Sequence, residues 1–226
     1  MNNREIKIIE KAVDEFEFVG VRDELTFREI IKHISDVTKV SLCCDPTFLY
    51  KYDYNVDNGK RILRKIIGSN PTKPIICVMT ESDQVANKLY DRLKSDYILV
   101  CLYLWHPRYI NGCLLSPFEW IDVLAACDCL ITSFFHGVCF ALKHNTPVLA
   151  IGTDNKNSKL QELEKSLNNI MFKVYDSRII EDKEFPDILQ RIQRNIKEIS
   201  FESDSMMEGF LRMLTIIKSE NKHGDI

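Results

Sequence analysis

Glycine is scarce in this chain, with 8 in 226 residues and none before Gly20. Neither a Gly-x-Gly-x-x-Gly fingerprint nor a P-loop with its lysine occurs, so a dinucleotide or nucleoside-triphosphate enzyme has no motif to rest on. An excess of one charge is also missing. The 30 basic and 33 acidic residues are mixed along the sequence and leave a formal charge of -3, which gives no electrostatic footprint for nucleic acid or an anionic membrane. No stretch approaches the roughly 18 apolar residues that span a bilayer, and no basic start leads into an apolar leader core. The expectation is a cytoplasmic protein without a transmembrane segment. There is no Cys-x-x-Cys pair among the 8 cysteines. Cys127 and Cys129 would point to one side of a strand but lack companions at zinc-site spacing, so reduced packing thiols are expected, with no metal and no cofactor. What remains is an ordinary folded composition, 45% apolar and 28% charged, long enough for one substantial core.

The pattern along the chain alternates helix and strand. A helix over 4–15 leads to a strand at 16–21, a helix at 26–33 and a strand at 40–44 that ends in Asp45-Pro46. Residues 55–68 hold a polar loop and a short basic amphipathic helix with Arg61, Arg64 and Lys65. An apolar strand at 74–79, a helix at 82–94 opened by Ser82 and Asp83, and a buried strand at 97–104 follow. Beyond residue 151 come a helix at 158–167, a strand at 170–174, and helices at 186–199 and 203–218. Strands separated by crossover-length helices predict an α/β fold built on a doubly wound, Rossmann-like parallel sheet, read as a single domain over 1–226 with C-terminal helices from about residue 186.

The stretch 116–151, SPFEWIDVLAACDCLITSFFHGVCFALKHNTPVLAI, is the most informative. Ser116-Pro117 reads as an N-cap with proline in the first helical turn and Glu119 behind it, starting a helix to about Ala126. Residues 127–132 form a short buried strand, Ser133-Phe134-Phe135-His136-Gly137 a polar turn, 138–144 a second helix ended by Asn145 and Pro147, and 147–151 the next strand. The turn therefore falls at the carboxyl end of a parallel strand and the amino end of a helix, where open α/β sheets bind anionic ligands.

This order of segments, together with Val19-Gly20-Val21-Arg22-Asp23 and Cys44-Asp45-Pro46-Thr47-Phe48-Leu49 upstream, resembles the signature of the polysaccharide pyruvyl transferase family over roughly residues 17–151. The resemblance implies a sheet like the C-terminal domain of a GT-B fold. It also implies transfer of pyruvate from phosphoenolpyruvate to paired hydroxyls of a cell-surface polysaccharide sugar, as a ketal. Many members have Arg-Leu-His-Gly at the turn and others Ser-Phe-His-Gly; here Phe134 stands where an anion-binding arginine would be, and a phenyl ring does not reproduce a guanidinium fork. The family's glycine-bearing N-terminal domain has no counterpart, so the chain is expected to be the C-terminal half, with a partner chain as one source of the missing domain. Alternatives are a non-catalytic binding or assembly module of the same fold and a GT-B-like glycosyltransferase using a nucleotide sugar.

Five residues are candidates for chemistry. His136 is placed as the acid that would protonate the enol methylene carbon, against a reading in which it caps the helix. Arg22 could hold the donor carboxylate or phosphate, or form a surface ion pair with Asp23 or Glu24. Ser133 could hydrogen-bond an anion, and Gly137 would let backbone approach it closely. Arg108, in Trp105-His106-Pro107-Arg108, could replace the arginine missing at position 134, and Trp105 could stack on a sugar; the alternative is a partly buried aromatic on a solvated loop. Asp45 is expected to cap its turn.

Overall fold

The computed structural model describes residues 3–43, 45–48, 54–152, 157–166 and 172–195. They fall in two compact units, the first ending by Phe48 and the second beginning at Tyr54.

The first unit holds helix α1 (Asn3–Glu15), strand β1 (Val19–Val21), helix α2 (Glu24–Ile30) and strand β2 (Val40–Leu42). β1 and β2 pair in parallel, Val19 opposite Val40 and Val21 opposite Leu42. Val13, Val21 and Val40 are buried there, with Ile9, Phe27 and Ile30 packed on them. Asp23 starts α2 by accepting the Thr26 N–H at 2.8 Å. The structure corrects the expectation that these strands join one continuous sheet. They make a sheet of their own, because three-residue strands with a separate apolar cluster satisfy their hydrogen bonds and burial locally, and a β-α-β pattern reads the same in either case.

The second unit is a six-stranded, all-parallel sheet in the order β5-β4-β3-β6-β7-β8. Its elements are α3 (Val56–Ile67), β3 (Ile75–Met79), α4 (Asp83–Leu93), β4 (Ile98–Cys101), β5 (Ile110–Asn111), α5 (Pro117–Ala126), β6 (Cys129–Thr132), α6 (Phe135–Lys143), β7 (Val148–Gly152), α7 (Asn157–Ser166), β8 (Val174–Asp176) and α8 (Phe185–Asn195). Every residue of β3, β6 and β7 is buried, as continuous apolar runs covered by helices on both faces require. Ile76, Val78, Ile131, Leu149 and Ile151 meet Leu89, Phe185 and Leu189 in one core.

Two local features fix the helices that deliver the site. α5 opens with a complete capping box, the Ser116 hydroxyl accepting the Glu119 N–H and the Glu119 carboxylate accepting the Ser116 N–H at 2.8 Å, with Pro117 in the first turn. α3 lies so close on α5 that a Cβ on Gly59 would stand 2.0 Å from the Asp122 carbonyl oxygen. The buried Asp122 carboxylate then holds the start of α3 by accepting the Asn55 N–H at 2.8 Å and the Asn58 amide at 2.6 Å.

Strand β5 is absent from the sequence reading, since two residues carry no periodic signal. The strand expected from residue 170 is found at Val174–Asp176, with residues 170 and 171 outside the described set. The helix expected at 203–218, and the end of the one at 186–199, also lie outside it. No described helix is long and apolar enough to cross a membrane.

Candidate active site at the sheet switch point

In the order β5-β4-β3-β6-β7-β8 the chain winds one way from β3 to β5 and the other way from β6 to β8, so the direction reverses between β3 and β6. Open parallel sheets bind ligands in the crevice beyond the carboxyl ends of the two strands at such a reversal. Here those ends are Met79-Thr80 and Thr132-Ser133. The Ser133 and Thr80 hydroxyls stand 3.4 Å apart and both residues are buried. Thr80 also accepts the Ser82 N–H at 3.2 Å, at the start of α4. Ser133 N–H donates to the Met79 carbonyl at 3.0 Å, which ties the two strand ends together.

α6 begins earlier than the sequence reading placed it. Its N-cap is Phe134, in extended conformation and without a side-chain cap, so Phe135, His136 and Gly137 form the first helical turn. His136 is exposed there, with the edge of the Phe135 ring against it, centroids 5.5 Å apart. Gly137 answers to packing. A Cβ on it would lie 2.8 Å from Thr132 Oγ1, and that hydroxyl is fixed by donating to the Met79 carbonyl and accepting the Phe134 N–H, both at 3.0 Å. The close approach that requires glycine is thus helix to strand. Phe134 lies against Tyr103, centroids 4.4 Å apart, and Trp120 meets Tyr103 edge-on at 6.5 Å.

Arg108 is placed elsewhere. Its guanidinium donates to Asn87 Oδ1 at 3.0 Å, pairs with both oxygens of Asp91, and lies over the Tyr90 ring at 4.4 Å from the centroid. These partners all belong to α4, and the guanidinium holds the Asp91 carboxyl below the usual carboxylate range. Arg108 therefore braces the loop after β4 against α4 and does not stand in for an arginine at position 134. The neighbouring His106 is buried, its Nδ1 accepting the Arg108 N–H at 3.3 Å.

Arg22 and Asp45, in the first unit, are brought together: Arg22 Nη1 donates to Asp45 Oδ2 at 2.9 Å. The Arg22 side chain is 36% exposed and that of Asp45 5%. The ion pair expected with Asp23 or Glu24 is thus made with a residue 23 positions away across the parallel pair, while Asp23 caps α2. Asp45 Oδ1 accepts the Thr47 N–H at 2.9 Å, the turn-capping role read from the sequence.

Cys43, Cys77, Cys101, Cys127, Cys129 and Cys139 are free, buried thiols. Burial pushes the Cys129 thiol up well above its ordinary value, and Cys77 is raised first by its hydrogen bond with Cys127 and then by burial. Among the described residues no three His, Cys, Asp or Glu side chains converge as metal ligands.

Sequence reasoning missed Thr80, Tyr103 and Trp120. Thr80 follows β3 as Ser133 follows β6, but only the strand order reveals that the two ends are neighbours. Tyr103 was absorbed into a strand read as 97–104 that ends at Cys101.

A parallel α/β sheet with helices between its strands and a reversal of winding between β3 and β6 places the chain in the Rossmann-like class. Within that class, residues 1–155 match the family model described as polysaccharide pyruvyl transferase. The chain belongs to that family. No curated protein sequence matches it. Among solved structures, wall teichoic acid polymerase TagF soaked with CDPG is similar at a TM-score of 0.50 and 12% identity, over 100% of this chain and 63% of that one. A second TagF structure gives 0.48 at 12%, over 97% and 62%. The glycotransferase of kitacinnamycin gives 0.41 at 10%, over 92% and 60%. The chain spans about three fifths of the length of these proteins. At such identities the likeness concerns the fold, a parallel α/β sheet of the kind found in GT-B glycosyltransferases.

Proposed function

We propose that this chain carries the acid-base half of a pyruvyl transferase, moving the enolpyruvyl group of phosphoenolpyruvate onto two hydroxyls of a polysaccharide sugar. The observation that carries the reading is the family match over residues 1–155 together with the position of His136, exposed in the first turn of α6 beside the switch point.

In this reading the His136 imidazolium gives its proton to the methylene carbon of the donor, which leaves an oxocarbenium-like centre at the adjacent carbon. A sugar hydroxyl attacks that centre and loses its proton. Departure of phosphate with the C–O bonding pair regenerates the oxocarbenium, and the second hydroxyl closes the ketal as its proton passes to the phosphate, the first hydroxyl's proton having returned to His136. Protons and charge balance without redox chemistry, so the reaction asks nothing of a cofactor. The start of α6 faces the phosphate with its backbone N–H end, and Ser133 and Gly137 set where that helix begins. Completion of the acceptor side by a further domain, on this or another polypeptide, is part of the proposal.

Differential scanning fluorimetry and phosphate release test it. Phosphoenolpyruvate raises the melting temperature by mass action and UDP-sugars do so less; turnover with a glycan acceptor and a complementing domain is lost in His136→Ala. Preference for uridine nucleotides, or turnover indifferent to His136→Ala, refutes the reading. One observation favours a second: Phe134 sits on Tyr103 where a cation would be expected, which suits a non-catalytic glycan-binding module of the same fold. Absence of any response to phosphoenolpyruvate selects it.

A further inference from the structure

The loop after β4 exposes three large apolar side chains in succession, Tyr103 at 37%, Leu104 at 44% and Trp105 at 67%. Singly exposed apolar residues are ordinary, but a contiguous run of them is the kind of patch that marks an interaction site. They leave the sheet on the carboxyl side of β4, and the Tyr103 ring is fixed by two neighbours: Phe134, at the switch point, with centroids 4.4 Å apart and planes inclined by 50°, and Trp120 of α5, edge-on at 6.5 Å. Among the described residues the Trp120 indole N–H, which is buried, has no hydrogen-bond partner.

We propose that Tyr103 and Phe134, backed by Trp120, form a stacking platform for one pyranose ring of the glycan. A pyranose has C–H groups on its faces and hydroxyls on its rim. The electron-rich faces of aromatic rings take up the C–H face. With centroids 4.4 Å apart the two rings leave no cleft between them, so the sugar lies over the side of the Tyr103 ring that stays exposed. The substitution at position 134 then has a function: the residue offers an apolar face to the acceptor in place of a charge for the donor. The choice of a sugar rests on the glycan-directed reading above and does not depend on the identity of the donor.

Both tryptophans of the chain, Trp105 and Trp120, lie on this loop and helix, so their fluorescence reports on the platform directly. The experiment titrates the intact chain with methyl β-galactoside, methyl α-glucoside and a linear galactan oligosaccharide, with UDP and phosphoenolpyruvate in parallel. A saturable emission change with at least one sugar is expected, weakened by about tenfold in Tyr103→Ala and retained in Tyr103→Phe, which keeps the ring. Trp105→Phe keeps the affinity and a signal from Trp120. No saturable change with any sugar overturns the proposal, as does equal affinity in Tyr103→Ala with unchanged circular dichroism. UDP binding that competes with the sugar overturns it in favour of a nucleobase site. Failure with sugars while phosphoenolpyruvate still raises the melting temperature removes the platform alone; Tyr103-dependent sugar binding without a phosphoenolpyruvate response upholds the platform and removes the donor.

Discussion

Replacing Gly137 with alanine tests whether the start of α6 is set by its contact with β6. The new methyl would stand 2.8 Å from Thr132 Oγ1 and 3.4 Å from its Cβ and Cγ2. Thr132 is 1% exposed, and rotating its side chain away would forfeit the bonds to the Met79 carbonyl and from the Phe134 N–H. Two such bonds are worth about 2 kcal/mol net, and overpacking without rotation costs a similar amount, about 1–3 kcal/mol. Alanine regains up to about 1 kcal/mol through helix propensity. The expected net loss is about 1–2 kcal/mol, read as a lower urea midpoint at unchanged m-value. The contact also predicts coupling: in a Thr132→Ala background the hydroxyl is gone, and Gly137→Ala costs less than in the wild type. A Gly137→Ala variant as stable as wild type, or strictly additive effects in the double variant, would refute the packing account and return the glycine to close approach of a ligand.

His144, the C-cap of α6, is 9% exposed, with both ring nitrogens unpartnered among the described residues and the Tyr54 ring centroid at 4.3 Å. Burial, then the Lys143 ammonium, pull its pKa from 6.5 to about 4, against the opposing pull of Asp122. The unfolded chain therefore binds the proton first, and stability that is complete above about pH 6.5 declines as pH falls toward 4, by about 3 kcal/mol at 1.36 kcal/mol per unit. Urea midpoints measured from pH 7.5 to 4 should show this decline and its flattening in His144→Leu; an identical slope in the variant excludes His144 as its source. In the first unit, Asp45→Asn removes the charge that pairs with Arg22, and a charge-assisted hydrogen bond of this kind is worth about 1.5–3 kcal/mol. Faster hydrogen exchange around Val19–Val21 and Val40–Leu42 is the expected signature, and unchanged protection there refutes it.

Much of the second unit was legible because buried parallel strands are short unbroken apolar runs and their helices carry explicit start signals. Ser116-Pro117 with Glu119 is such a signal, and it produces the capping box found in the structure. Gly59 was not legible as a packing residue. Its need arises from the Asp122 carbonyl 63 positions away, and nothing local to α3 announces that contact. The same holds for the site. Ser133, His136 and Gly137 were visible as a strand-to-helix turn, whereas Thr80 and Tyr103 join them only through the strand order. Arg108 was misread because its partners lie on α4, 17 to 21 positions earlier in the chain. The separate β1-β2 sheet was missed for a comparable reason, since hydrogen-bond partners between strands are non-local and the sequence pattern names no partner.

The three segments that carry the family resemblance do not weigh equally as chemistry. In Val21-Arg22-Asp23 the valine enters the small core, the arginine pairs with Asp45 and the aspartate caps α2. In Asp45-Pro46-Thr47 the aspartate completes that pair and holds the turn. Each of these residues has a structural task that a change of substrate would not alter, so their presence in a sequence reports that this βαβ unit is being built. Ser133-Phe134-Phe135-His136-Gly137 divides differently. Ser133 and Gly137 are buried against β3 and β6 and fix where the helix begins, whereas His136 is presented outward from the first turn, and Phe134 turns an aromatic ring toward Tyr103. In this segment buried scaffold residues alternate with an exposed histidine and a phenylalanine that lies on Tyr103. Variation within the family is therefore expected at position 134, where a side chain can change without disturbing the strand ends or the start of α6, whereas the histidine at 136 is common to the turns compared above.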